Sequence, residues 1–258
     1  MISYHNRIVV KAMTANLKKG LAVLVVGAAL MVTGGALLHV SVQRTNSIAA
    51  AVASRGQKII IDAGHGGFDG GAVSGSLMEK DFNLAIAAEL RDILSQKGYC
   101  ILMTRESDTA LSDGCGTSAK KQDMRKRRAI MEENPDAIFL SIHMNKFEDS
   151  VCKGAQVFYG AQNPRSEELA VAIQDSIKKE LQPDNHRLAK QAGKSIYLLR
   201  TAAIPAVIVE CGFLSNPQDA DNLSQPEYRA KMANAIADGL ELFLKSDHTG
   251  TEVKENEQ

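Results

Sequence analysis

Hydrophobic and polar positions change period several times along this chain, and each change predicts an element. Three short, largely apolar runs, Lys58–Asp62, Ala137–Ile142 and Pro205–Val209, are rich in β-branched residues. That pattern marks strands buried on both faces. Lys80–Lys97 instead sets Leu84, Ala87, Ala88, Leu90, Ile93 and Leu94 near helical spacing and stops at Gly98, which predicts an amphipathic helix. Tyr99–Thr104, Gly154–Tyr159 and Ser195–Leu199 read as further strands, and helices are expected around Asp123–Glu133, Ser166–Leu181 and Tyr228–Leu244. Apolar runs alternating with amphipathic stretches over residues 57–245 predict one α/β domain. The polar residues 246–258 are expected to form a disordered tail.

The N-terminal stretch breaks this pattern. Leu21–Val42 contains no formal charge, and its length matches the ~20 residues a membrane-spanning helix needs. Arg7, Lys11, Lys18 and Lys19 precede it, so the positive-inside rule puts the N-terminus in the cytoplasm. The expected layout is a basic cytoplasmic segment (1–20), a transmembrane signal-anchor (21–43), a linker (44–56) and an exported domain (57–245). Cleavage at Ala51-Val52-Ala53 is the competing reading and would release the domain as a secreted protein.

Composition narrows the functional classes. A hydrophobic content of 45% and a charged content of 23% suit a packed core, and the formal net charge of zero gives no electrostatic case for nucleic acid. Cys100, Cys115, Cys152 and Cys211 have no C-x-x-C spacing, which argues against a structural zinc knuckle. Cys100 and Cys211, in apolar runs, are expected in the core; Cys115 and Cys152, in loops, are free or paired.

The chemistry lies at the ends of the apolar runs. The first leads into His65, the second ends at His143 and the third at Glu210. If the strands are parallel, these side chains gather at the carboxyl edge of the sheet, where open α/β folds bind ligands. Two histidines with a third donor such as Glu79, fourteen residues beyond His65, match a catalytic zinc set. Taken singly, each histidine also reads as a hydrogen-bonding surface residue and Glu79 as a helix-dipole partner. Glu210 is harder to explain away, because a carboxylate straight after Ala-Val-Ile-Val faces costly burial without a partner. The glycines of 64–71 fail the phosphate-loop pattern, since Ala72 and Val73 stand where Lys and Ser/Thr belong.

D-A-G-H-G-G at 62–67, E-K-D-F-N-L at 79–84, T-R at 104–105, S-I-H-M-N at 141–145 and V-E-C-G-F-L-S-N at 209–216 resemble the zinc-dependent N-acetylmuramoyl-L-alanine amidases of the type 3 family. The resemblance spans residues 57–245 and implies a mixed, roughly six-stranded sheet with helices on both faces. It also implies one Zn²⁺ on His65, Glu79 and His143, with Glu210 as general base and then general acid. Ala63 departs from the proline common in the family's D-P-G-H-G motif. Arg105 and Arg127 are further candidates for the site, with a salt-bridging role weighed above substrate contact. Asn83 and Asn145 are candidates to orient ligands or to cap turns, and Ser215 and Asn216 to shape the loop after Glu210.

The implied substrate is peptidoglycan, cut at the amide between muramic acid and L-alanine. The 66 residues between His143 and Glu210 leave little room for the inhibitory helix of some family members, so control through expression, metal loading or an activating protein partner is expected instead. One bare domain behind an anchor resembles the spore-cortex amidases; a vegetative autolysin is the alternative. A cysteine hydrolase using Cys211 with His143, and a non-catalytic peptidoglycan-binding protein, are the competing classes.

Overall fold

The computed structural model describes residues 56–255. The expected cytoplasmic segment, signal-anchor and cleavage site all lie outside the described residues. Among the described residues, no helix is long and apolar enough to cross a membrane.

Six strands form the main sheet in the order β4-β1-β5-β8-β6-β7: β1 (Lys58–Ala63), β4 (Cys100–Met103), β5 (Ile138–Asn145), β6 (Gln156–Tyr159), β7 (Lys190–Gln191) and β8 (Ala206–Phe213). The first four in that order run parallel, while β6 pairs antiparallel to β8, so the sheet is mixed. Two-residue strands β2 (Val73–Ser74) and β3 (Leu77–Met78) make a separate hairpin.

Three helices, α1 (Glu79–Gln96), α3 (Arg165–Glu180) and α6 (Pro226–Glu255), pack Ile86, Leu90, Leu94, Ile173, Ile177, Ile236 and Leu240 against Ile59, Ile61, Leu140, Val207 and Val209. The opposite face buries Ile60, Phe139, Ala206 and Ile208 under Met131 of α2 (Gly116–Glu132) and Leu198 and Leu199 of the single-turn α4 (Tyr197–Arg200). Coverage on both faces explains the absence of alternation in β1, β5 and β8. A short α5 (Pro217–Ser224) follows β8, with the Asn216 side chain accepting from the Asp219 amide at 3.1 Å and Pro217 at its first turn.

Four expectations change. Ser195–Leu199, expected as a strand, contains most of α4, whose buried Leu198 and Leu199 are adjacent and both cover the sheet. The helix expected from Asp123 begins at Gly116, because its first turns are polar and carry little apolar periodicity. Cys100, expected in the core, is exposed; β4 is an edge strand whose Cys100 and Leu102 face outward. The closing helix reaches Glu255, through most of the expected disordered tail. Gly250 is its sole glycine or proline beyond Leu244, so nothing strongly breaks the helix where the apolar periodicity ends.

Candidate active site

The parallel register of β1, β5 and β8 aligns their carboxyl ends, and the site forms on that edge. His143 and Glu210 are direct partners across β5 and β8, so their side chains share one face of the sheet. Asp62 and Ser141, partners across β1 and β5, lie on that same face two positions earlier. Glu79 opens α1, which the Val73–Met78 hairpin delivers to this edge; the Glu79 amide donates to the Ala72 carbonyl at 2.9 Å.

Glu79 is the hub. Its Oε1 lies 2.8 Å from His143 Nδ1 and 3.2 Å from His65 Nε2, and it accepts the Met144 amide at 3.1 Å. Its Oε2 accepts the Ala72 amide at 2.7 Å. Burial would push the Glu79 carboxyl upward, but hydrogen bonds to His143 and His65 win and hold it well below the usual carboxylate range. His143 moves the other way. Burial favours the neutral ring, yet the Glu79 carboxylate reverses that and raises its pKa.

His65 sits in the left-handed region at φ 60°, followed by Gly66 and Gly67, both also at positive φ. This sharp turn costs strain in a non-glycine residue. It is pinned by Arg127, whose Nη2 donates to the His65 carbonyl at 2.7 Å. Asp69 Oδ2 lies 2.9 Å from His65 Nδ1, which orients the ring so that Nε2 points toward Glu79. Lys120 in turn holds Asp69 at 2.9 Å.

His65, Glu79 and His143 each offer a donor atom within 4.8 Å of the others, a group able to hold a metal ion. Two imidazole nitrogens and a carboxylate oxygen suit zinc, and the glycines beside them fit that purpose. A Cβ on Gly64 would lie 2.3 Å from His143 Nε2, and one on Gly71 would lie 2.5 Å from Glu79 Oε2. Both glycines are therefore required for the close approach of the His143 and Glu79 side chains.

Glu210 completes the edge. Its Oε2 is shielded from solvent and has no hydrogen-bond partner. Its carboxyl is pushed up to about 7, chiefly by burial, with the Glu79 charge adding and His143 opposing. A carboxyl poised near neutrality, with one free oxygen beside the cluster, is equipped to carry a proton.

The arginines and asparagines have definite positions. Arg105 is buried and ties the loop together, donating to the carbonyls of Ala63, Gly64, Lys80 and Ser107 at 2.8–3.0 Å. Arg127 is 1% exposed and ion-paired to Asp62 and Asp123. Both are thus structural supports under the histidine loop. Asn83 donates to the Gly64 carbonyl at 3.0 Å, and the Asn145 carbonyl accepts from the Leu214 amide at 2.9 Å. Ser215 Oγ accepts the Phe147 amide at 3.1 Å.

Asp62 and Asp69 escaped the sequence argument. Asp62 carried the same signal as Glu210, a carboxylate straight after an apolar run. It is wholly buried and bonded by Arg127, Ser141 and Thr104, at 2.6 Å to Ser141 and 2.7 Å to Thr104. Burial raises its pKa, but Arg127 and these neighbours bring it below the usual value. Cys211 belongs to the hydrophobic core, fully buried, with its thiol pKa pushed up by burial. That is the wrong environment for a thiolate nucleophile and removes the cysteine-hydrolase reading.

A three-layer α/β domain with a His–Glu–His cluster and an adjacent protonatable glutamate has the layout of a metal-dependent hydrolase. The N-acetylmuramoyl-L-alanine amidase family model (Amidase_3) matches residues 59–242, and the chain belongs to that family. A germination-specific N-acetylmuramoyl-L-alanine amidase of Bacillus subtilis (strain 168) is 39% identical over 188 residues, covering 72% of this chain and 78% of its own. Among solved structures, the CwlD amidase of Clostridioides difficile, in complex with the GerS lipoprotein, superposes with a TM-score of 0.70 at 37% identity, covering 73% of this chain and 98% of that one. The amidase AmiC2 of Nostoc punctiforme gives 0.61 at 30% identity, covering 71% and 94%. The protein is accordingly an N-acetylmuramoyl-L-alanine amidase, acting on peptidoglycan.

Proposed function

We propose that one zinc ion held by His65, Glu79 and His143 serves the hydrolysis, with Glu210 as the proton carrier. The observation that carries this reading is the direct pairing of Glu210 with His143 beside the three-residue cluster. When bound, the ion supplies Lewis acidity toward the amide carbonyl and toward water. Asp69 holds the His65 ring with Nε2 inward, and the Arg127 bond to the His65 carbonyl fixes the turn. Glu210 takes a proton from the attacking water and delivers it to the departing L-alanine nitrogen, using the free Oε2.

The physiological role is proposed to be removal of stem peptides from spore cortex, where muramic lactam forms. Similarity to the germination-specific amidase and to CwlD supports it. The complex of CwlD with the GerS lipoprotein also supports a protein partner for this domain. Leu21–Val42 is proposed as the anchor that leaves the domain outside the cytoplasmic membrane.

Metal analysis with peptidoglycan digestion tests the chemistry. The wild type should hold one zinc per chain and release peptides with a new L-alanine amino terminus. Glu210→Gln should retain zinc and lose turnover. Undiminished cleavage by that variant would remove Glu210 from the reaction, and a cleaving enzyme free of metal would remove the ion.

A further inference from the structure

We infer that Arg187 is a specificity residue: it binds a carboxylate on the peptide half of the substrate, at the residue following L-alanine. The inference rests on the amidase reading of the Glu210 edge. Gln156 is the antiparallel partner of Glu210 on its other side, so its side chain stands on the same face of the sheet. Both ends of the Gln156 amide are held. Oε1 accepts from Arg187 Nη1 at 3.1 Å, and Nε2 donates to the Leu188 carbonyl at 3.1 Å.

Arg187 is likewise fixed on several sides. Nε donates to the Lys153 carbonyl at 2.9 Å, and the guanidinium stacks over the Phe213 ring at 4.7 Å. Phe213 lies three positions beyond Glu210 on β8, past the register shift that pairs it with Asn145. The backbone amide of Arg187 donates to Asn185 Oδ1 at 2.9 Å. Among the described residues no carboxylate neutralises this guanidinium, and Nη2 has no acceptor. A partly buried arginine oriented by neutral acceptors and a ring, with its charge unspent, is prepared for an external anion.

Position selects the anion. Antiparallel partners lie ~4.5–5.5 Å apart, and one glutamine side chain separates the β6 backbone from the guanidinium. The Gln156 amide bonds the guanidinium at 3.1 Å, which puts Arg187 about 8 Å to the side of Glu210. One to two residues of extended chain from the scissile amide span ~3.5–7 Å, so a carboxylate at the next residue comes within hydrogen-bond reach of Arg187. An amide in its place would lose the charge-assisted bonds.

The test uses the zinc-loaded enzyme and disaccharide-peptides with full-length stems, bearing either the free carboxylate or its amide after L-alanine. The wild type should prefer the acid by about tenfold or more in kcat/KM. Arg187→Met should collapse that preference toward one, mainly through KM of the acid, and Arg187→Lys should restore part of it. Thermal unfolding of each variant reports folding separately. An unchanged acid-to-amide ratio in Arg187→Met, or a parallel loss on both substrates, would overturn the inference. Wild-type enzyme that cleaves neither substrate would overturn the amidase reading and this one with it.

Discussion

Gly64→Ala places one methyl group against the core of the site. An ideal Cβ there would lie 2.3 Å from both Cε1 and Nε2 of His143, where ordinary contact begins at 3.4 Å. One of the two must retreat by about 1.1 Å, the difference between those distances. The Gly64 backbone is poorly placed to move. Its amide donates to the Ile142 carbonyl at 3.1 Å, and its carbonyl accepts from Asn83 at 3.0 Å and Arg105 at 2.9 Å. The imidazole therefore yields, by several times the ~0.2 Å tolerance of a metal–ligand distance. Supporting residues of metal sites typically cost ~10–100-fold in affinity when mutated. Displacing a ligand should cost at least the upper end of that range. Zinc affinity measured by competition with a chelator, alongside thermal unfolding of the metal-free protein, checks this. The fold should survive with the ~1–3 kcal/mol penalty of overpacking. Wild-type zinc affinity in Gly64→Ala would refute the combination of a ligand His143 and a rigid Gly64 backbone.

Arg127→Met should destabilise the domain by ~3–5 kcal/mol in urea unfolding, because it leaves the wholly buried Asp62 without its counter-ion; a loss under 1 kcal/mol would contradict that. In the wild type, the lowered pKa of Asp62 contributes stability above its ordinary value of 3.8 that disappears as pH falls through the folded pKa. Glu210 has the opposite sign. In the metal-free protein its carboxyl stays protonated from 4.5 to about 7 while the unfolded chain ionises, so stability falls as pH rises across that window. Relative to Glu210→Gln, the metal-free wild type should lose up to ~3 kcal/mol between those limits, and parallel pH profiles would disprove it. Because Glu79 raises the pKa of His143, zinc binding at pH 6 should release protons and weaken as pH falls. Calorimetry in two buffers of different ionisation enthalpy would show the release as a difference in apparent heat, and equal heats would count against it.

Local pattern alone placed most of this protein. Apolar runs located β1, β5 and β8 because central strands buried on both faces need no polar alternation. Residues at their ends marked His65, His143 and Glu210, since a polar side chain after such a run has to be paired or put to use. Helical spacing and Gly98 set the limits of α1 to within a residue.

Other features depend on which strands become neighbours, and no local pattern encodes that. Cys100 looked like core until β4 proved to be an edge strand, and Ser195–Leu199 looked like a strand until it packed across the sheet as a helical turn. Asp62 acquired Arg127 from 65 positions away, and Glu79 acquired His143 from 64. Gln156 and Arg187 carried no chemical motif at all; only the antiparallel return of β6 beside β8 brought Gln156 next to Glu210, with Arg187 bonded to it. The chain fixes which side chains are available to react, because composition and period are local. Strand order and register fix which of them meet, because pairing is a long-range choice made by burial.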